Sequence, residues 1–63
     1  MAIRYIKDDG CYFYIVTEKG QKFARAKNGA KLINTTEKTW TIQIGNYIYV
    51  YDEDNKLIQS RFA

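Results

Sequence analysis

Polar and apolar positions alternate along most of this chain, and Gly, Asn and Asp cut the alternation into short runs. Candidate turns fall at Asp9-Gly10, Lys19-Gly20, Asn28-Gly29, Glu37-Lys38, Gly45-Asn46 and Asp54-Asn55, spaced eight to ten residues apart. Gly and Asn accept the positive φ that tight hairpin turns require, and Asn-Gly is the strongest such signal. The runs between them are rich in Ile, Val, Tyr, Phe and Thr, most clearly from Cys11 to Thr17, Thr39 to Ile44 and Tyr47 to Tyr51. These residue types suit half-buried strands. The pattern predicts an all-β antiparallel meander of about six to seven short strands, near 2–8, 11–18, 21–27, 30–35, 39–44, 47–53 and 56–62. The fourth is the weakest. Ala24, Ala26 and Ala30 are poor strand formers, so a short helical turn between Lys22 and Leu32 is the alternative, its length limited by Gly29.

Two-residue turns at the first three signals set the expected faces, because directly paired residues share one side of a sheet. Asp9-Gly10 places Ile6 opposite Phe13 and Tyr5 opposite Tyr14. Lys19-Gly20 pairs Ile15 with Ala24, Tyr14 with Arg25, Phe13 with Ala26 and Tyr12 with Lys27. Asn28-Gly29 pairs Ala24 with Ile33 and Arg25 with Leu32. The core face of this half is then Ile6, Phe13, Ile15, Ala24, Ala26 and Ile33. The opposite face carries Tyr5, Tyr12, Tyr14, Val16, Phe23, Arg25, Lys27 and Leu32, and is aromatic and basic. In the second half the same reasoning puts Trp40, Ile42, Ile44, Tyr47, Tyr49, Tyr51, Ile58 and Phe62 on one side. The core is expected to centre on Trp40, Phe13, Ile15, Ile42, Ile44 and Tyr49, with large side chains closing against the small Ala24 and Ala26. A repeat at an offset of 35 matches Gly10, Tyr12, Tyr14 and Glu18 to Gly45, Tyr47, Tyr49 and Glu53. It fits either a duplicated three-strand unit or two hairpins built independently from strand formers.

At 63 residues the chain holds one small domain, 1–63. A domain this short buries only about 60% of its unfolded surface, so each large side chain weighs heavily. Aromatics make up 16% of residues, which argues against disorder. The net charge of +3 is unevenly spread. Lys19, Lys22, Arg25, Lys27, Lys31 and Lys38 against Glu18 and Glu37 give +4 in the middle third, whereas the segments on either side are neutral or slightly acidic. A positive field of this kind suits phosphate-bearing or acidic partners, or guards sheet edges against strand-to-strand aggregation.

Composition removes most catalytic chemistry. The chain has no His, and Ser60 is its single serine. Cys11, the single cysteine, has no disulfide or zinc partner and reads as a small packed side chain. The acidic clusters Asp8-Asp9 and Asp52-Glu53-Asp54 fall at turns, where Asp is favoured for backbone reasons, and lack the fuller calcium-loop pattern. Asn34-Thr35-Thr36 matches a glycosylation sequon, without a secretory signal to give it meaning. No glycine-rich phosphate loop is present, and no apolar run is long enough for a membrane helix. The expectation is a non-enzyme with no cofactor, no metal and no membrane span. The absence of disulfides suggests a reducing, cytoplasmic setting.

The strongest functional signal is the interleaving of Tyr5, Tyr12 and Tyr14 with Lys22, Arg25 and Lys27. Aromatic side chains stack on unpaired bases and neighbouring cations hold phosphates, which points to a single-stranded nucleic-acid-binding module. Tyrosine is equally an interface residue, so the alternative is a small protein-binding module, an inhibitor or assembly protein, using the same face. A homodimer is compatible with both. The architecture expected is a small barrel with the general look of SH3-like or oligonucleotide-binding folds, or two packed sheets. That likeness is architectural and carries no function.

Overall fold

The computed structural model describes residues 2–63. Seven strands follow in chain order: β1 (Tyr5–Asp8), β2 (Tyr12–Thr17), β3 (Gly20–Ala26), β4 (Lys31–Thr35), β5 (Thr39–Ile44), β6 (Tyr47–Asp52) and β7 (Leu57–Phe62). All pairings are antiparallel, in two sheets ordered β1-β2-β3 and β4-β5-β6-β7. The expected meander is present, as two packed sheets. It does not close into a barrel, because β3 does not pair with β4 and β7 does not pair with β1. The helical alternative between Lys22 and Leu32 is replaced by strand and turn, and no helix long and apolar enough to cross a membrane exists among the described residues.

The core lies between the sheets. Trp40, Phe13, Ile15 and Ile42 are 0% exposed, and Ile3, Ile6, Ala24 and Ala30 complete the cluster. Ile44 and Tyr49, expected at its centre, sit partly buried at its margin beside Tyr51. The Phe13 ring meets Trp40 edge-on at 5.9 Å, and Tyr51 stacks on the Trp40 ring at 4.8 Å. Full burial of such side chains contributes about 1.5–3 kcal/mol each, so four of them dominate a domain of this size.

The registers show which turn chemistry governs. Gly45-Asn46 forms the two-residue hairpin as read, pairing Ile44 with Tyr47 and setting Tyr49 and Tyr51 opposite Ile42 and Trp40. The β1–β2 connection is longer than expected: Asp8 pairs with Phe13 and Ile6 with Ile15. That slip is two residues, so every side chain keeps its expected face. The β2–β3 turn is Glu18-Lys19 rather than Lys19-Gly20, again an even slip, pairing Tyr14 with Phe23 and Ile15 with Lys22.

A bulge then reverses the faces. Between Phe13 and Tyr14 the register shifts by one residue, so Phe13 pairs with Arg25 and Tyr12 with Ala26. Ala24 is the extra residue, and it is buried. Past it, Arg25 and Lys27 fall on the core side of the sheet, and Ala26 falls on the tyrosine side. Both assignments are the opposite of the sequence expectation, since a one-residue slip exchanges the two faces.

Asn28-Gly29 also forms a tight turn, with φ of 43° and 78° and Ala30 N–H donating to Lys27 O at 2.7 Å. The expected β3–β4 hairpin does not follow from it. The carbonyls on the free edge of β3 are already taken: Asn55 Nδ2 donates to Ala24 O at 2.7 Å, and Arg25 Nε donates to Ala26 O at 2.9 Å. Ala30 is buried where the chain passes from one sheet to the other. Ile33, expected in the core through that hairpin, is 49% exposed where β4 is itself bulged between Leu32 and Asn34. The sheets are joined further by Arg25 Nη1 donating to Tyr51 Oη at 2.9 Å and by Ile3 N–H donating to Glu37 O at 2.8 Å.

The offset-35 similarity does not carry a shared orientation. Tyr12 and Tyr14 face away from the core, while their matches Tyr47 and Tyr49 lie on the side of Ile44 and Ile42.

Candidate functional site: an aromatic sheet face

The outer face of the three-stranded sheet gathers most of the chain's exposed aromatic surface outside β6 and β7. Strand alternation sends Ile6, Phe13 and Ile15 inward, so Tyr5, Lys7, Tyr12, Tyr14 and Val16 point outward. Phe23 joins them from β3 through its pairing with Tyr14. Phe23 sits between two tyrosines, edge-on to Tyr12 at 5.5 Å and to Tyr14 at 6.1 Å. Lys7 Nζ lies 5.9 Å from the centre of the Tyr14 ring, a cation–π contact that keeps one positive charge at the rim. Tyr5, Tyr12 and Phe23 are all exposed. Edge-to-face packing of this kind preorganises the rings, leaving broad apolar faces and phenol tips available.

The turn that launches Tyr12 is held by two carboxylates. Asp8 Oδ1 accepts from Gly10 N–H at 2.8 Å, and Asp9 Oδ1 accepts from Cys11 and Tyr12 N–H at 2.9 and 2.7 Å. Asp8 Oδ2 also accepts from Lys27 Nζ at 2.7 Å. The Lys27 bond and the Gly10 amide hold the Asp8 carboxyl below the usual range, and the Cys11 and Tyr12 amides do the same for Asp9. A carboxyl held below its unfolded pKa favours folding fully above the ordinary carboxylate range, and that contribution is lost as pH falls toward the lower folded value. On acidification from about pH 6 to about pH 2, the Gly10, Cys11 and Tyr12 amides are therefore expected to lose exchange protection before the amides of β5. Unchanged protection of these three at the acid end, by amide-exchange NMR, would contradict it.

The site expected from sequence is divided by the fold. Tyr5, Tyr12 and Tyr14 share the outer face as read. Lys22, Arg25 and Lys27 lie on the other side, because Lys22 pairs with Ile15 and the bulge turns Arg25 and Lys27 inward. Arg25 is committed to Tyr51 and Ala26, and Lys27 to Asp8. Lys22 lines an open groove of about 270 Å³ with Thr17, Lys19, Glu53 and Asp54, so carboxylates stand beside it. Phe23 and Lys7 are the members that sequence reasoning left out of the site. Phe23 was legible as an outward residue, and Lys7 alternates with Tyr5 on one strand.

Cys11 is exposed in the β1–β2 turn rather than packed within a strand. Among the described residues no group of three or more Cys, Asp or Glu side chains is placed to hold a metal ion. Comparison with protein families, with curated proteins and with solved structures finds no match to this chain.

Proposed function

We propose that the chain is a non-catalytic protein-binding module that docks a partner on the outer face of its three-stranded sheet. The observation that supports this is the separation of charge from aromatics: Tyr5, Tyr12, Tyr14 and Phe23 cluster with Lys7, while Lys22, Arg25 and Lys27 are on the far side. Single-strand binding combines stacking rings with a cationic track for the phosphates on the same surface. A protein interface instead favours aromatic anchors at the centre and few charges there. The partner suited to this face offers an aliphatic surface for the rings and hydrogen-bond acceptors for the phenols and Lys7.

The test is affinity capture from nuclease-treated extract, run beside titration of labelled single-stranded DNA and RNA at low and physiological salt. One protein retained by the wild type and lost with Tyr12→Ala/Phe23→Ala supports the reading, each ring being worth about 1–2 kcal/mol or more at an anchor position. The variant is expected to stay folded, since both side chains are exposed. Oligonucleotide binding that weakens steeply with salt and disappears in the same variant would replace this reading with the nucleic-acid one.

A further inference from the structure

We propose that β7 is a self-association edge, where a second copy of this chain pairs its own β7 antiparallel, centred on Ser60, and extends the four-stranded sheet across a two-fold axis. This surface is separate from the aromatic face of the other sheet, and neither proposal depends on the other.

β7 is bulged near its start, where Ile58 is the extra residue between the Val50–Gln59 and Tyr51–Leu57 pairs, and from Gln59 to Ala63 its backbone is divided between two sides. Ala63 N–H donates to Asn46 O, and Arg61 and Gln59 pair with Ile48 and Val50 in the same register. Antiparallel ladders bond at every second residue, so Gln59 and Arg61 turn their polar groups toward β6 while Ser60 and Phe62 turn theirs to the open edge. The other three edges are closed or guarded. On β3 the Ala24 and Ala26 carbonyls accept side-chain hydrogen bonds. β1 has four residues, and the segment before it is bonded to the Glu37 carbonyl. β4 opens on Lys31 and is bulged at its middle. On β7 all six residues are exposed, and its one internal charge is Arg61. A strand edge of this kind is a ready template for another strand.

Side-chain chemistry selects a second copy and its register. Phe62 is 67% exposed and packs edge-on to Tyr47 at 5.3 Å, with Leu57 and Ile58 exposed along the same strand. A two-fold axis perpendicular to the sheet keeps like faces together, so beyond the bulge, from Gln59 to Phe62, only residues of the same parity pair. Centring on Ser60 sets Arg61 opposite Gln59 of the second copy and brings Phe62 to the bulged Leu57–Ile58 end of its β7. Centring on Arg61 would set two guanidinium groups against each other, and centring on Gln59 would leave Phe62 unpaired. The Ser60 register brings Phe62 to the exposed Leu57 and Ile58 of the second copy and avoids like charges. It also makes Ser60 a directly hydrogen-bonded pair with itself, with Cα atoms about 5.5 Å apart, within disulfide range.

Sedimentation equilibrium from micromolar to millimolar protein tests the association, with variants to locate it. The wild type is expected to show a monomer–dimer equilibrium. Ser60→Pro removes an N–H that β6 does not use and should raise the dissociation constant about tenfold or more, as should Phe62→Lys. In a Cys11→Ser background, Ser60→Cys should form a disulfide-linked dimer under mild oxidation. Arg61→Cys should not, because its mates would lie beyond the roughly 7 Å a disulfide spans. A wild type that stays monomeric throughout overturns the proposal. So does a dimer that survives both Ser60→Pro and Phe62→Lys, or cross-linking through position 61 in preference to 60. Loss of the dimer with Tyr12→Ala/Phe23→Ala alone would place self-association on the aromatic face instead.

Discussion

Trp40→Ala is expected to remove about 3–5 kcal/mol of stability, the range for emptying a large aromatic site that neighbours cannot refill. Trp40 is fully buried, with Phe13 edge-on to one side and Tyr51 stacked on it, so no single neighbour can collapse into the space. Stability of about 0.05–0.15 kcal/mol per residue leaves a 63-residue domain little beyond that loss. The variant should therefore be largely unfolded at room temperature, or melt far below the wild type. The indole also carries a cost, because its buried Nε1–H has no hydrogen-bond partner. Leaving a buried donor unpaired costs about 1–3 kcal/mol, so Trp40→Phe, which deletes that donor along with part of the ring, should cost only about 1–2 kcal/mol. Thermal melts of the two variants decide this. Equal losses would mean that the indole N–H is satisfied after all, and a Trp40→Ala melt close to wild type would remove Trp40 from the core.

Much of this architecture was legible because even slips are harmless. The turn at Asp9-Gly10 is longer than the sequence predicts and the next turn falls one residue earlier, at Glu18-Lys19, yet Phe13, Ile15 and Ile6 still point inward. Each slip moved the register by two residues, and side-chain direction in a strand has a period of two. Trp40 and Ile42 are legible more directly: the Gly45-Asn46 turn forms as predicted and fixes their register against Tyr51 and Tyr49. What was not legible is the bulge at Ala24. Nothing in Lys22-Phe23-Ala24-Arg25-Ala26-Lys27 announces an extra residue, because alternation through it reads as a regular strand. The contacts made there come from residues distant in sequence: the Asn55 amide donates to the Ala24 carbonyl, and the Arg25 guanidinium donates to the Tyr51 hydroxyl. The expected grouping of rings and cations is divided there: Tyr12 and Tyr14 lie on the neighbouring strand, unaffected by the bulge, whereas Arg25 and Lys27 follow it on β3. Lys22 is parted from the tyrosines without the bulge, because it pairs with Ile15 on the core side of the sheet.

That dependence makes Asn55 the second position of large expected effect. It does two things that few residues combine. Its φ is 64°, in the left-handed region that Asn tolerates better than other residues with a Cβ, and its Nδ2 donates to the carbonyl of the bulge residue Ala24. Asn55→Ala loses both, and should cost about 1–3 kcal/mol for the orphaned carbonyl and about 1 kcal/mol more for the backbone. Asn55→Gly relieves the backbone and leaves only the first loss. The difference between Ala and Gly in thermal stability therefore reads the strain, and the difference between Gly and wild type reads the bond across the sheets. Oδ1 of Asn55 has no partner to lose, so Asn55→Asp keeps the side-chain shape while removing the donor and placing a carboxylate against a carbonyl. It should be at least as destabilising as Asn55→Gly, and should recover as pH falls and the carboxyl gains a proton with which to donate. An Asn55→Gly protein as stable as the wild type would show that the bulge holds itself. In that case Arg25 would stay on the core side without help from the β6–β7 turn, and the split between the cations and the tyrosines would be a property of β2 and β3 alone.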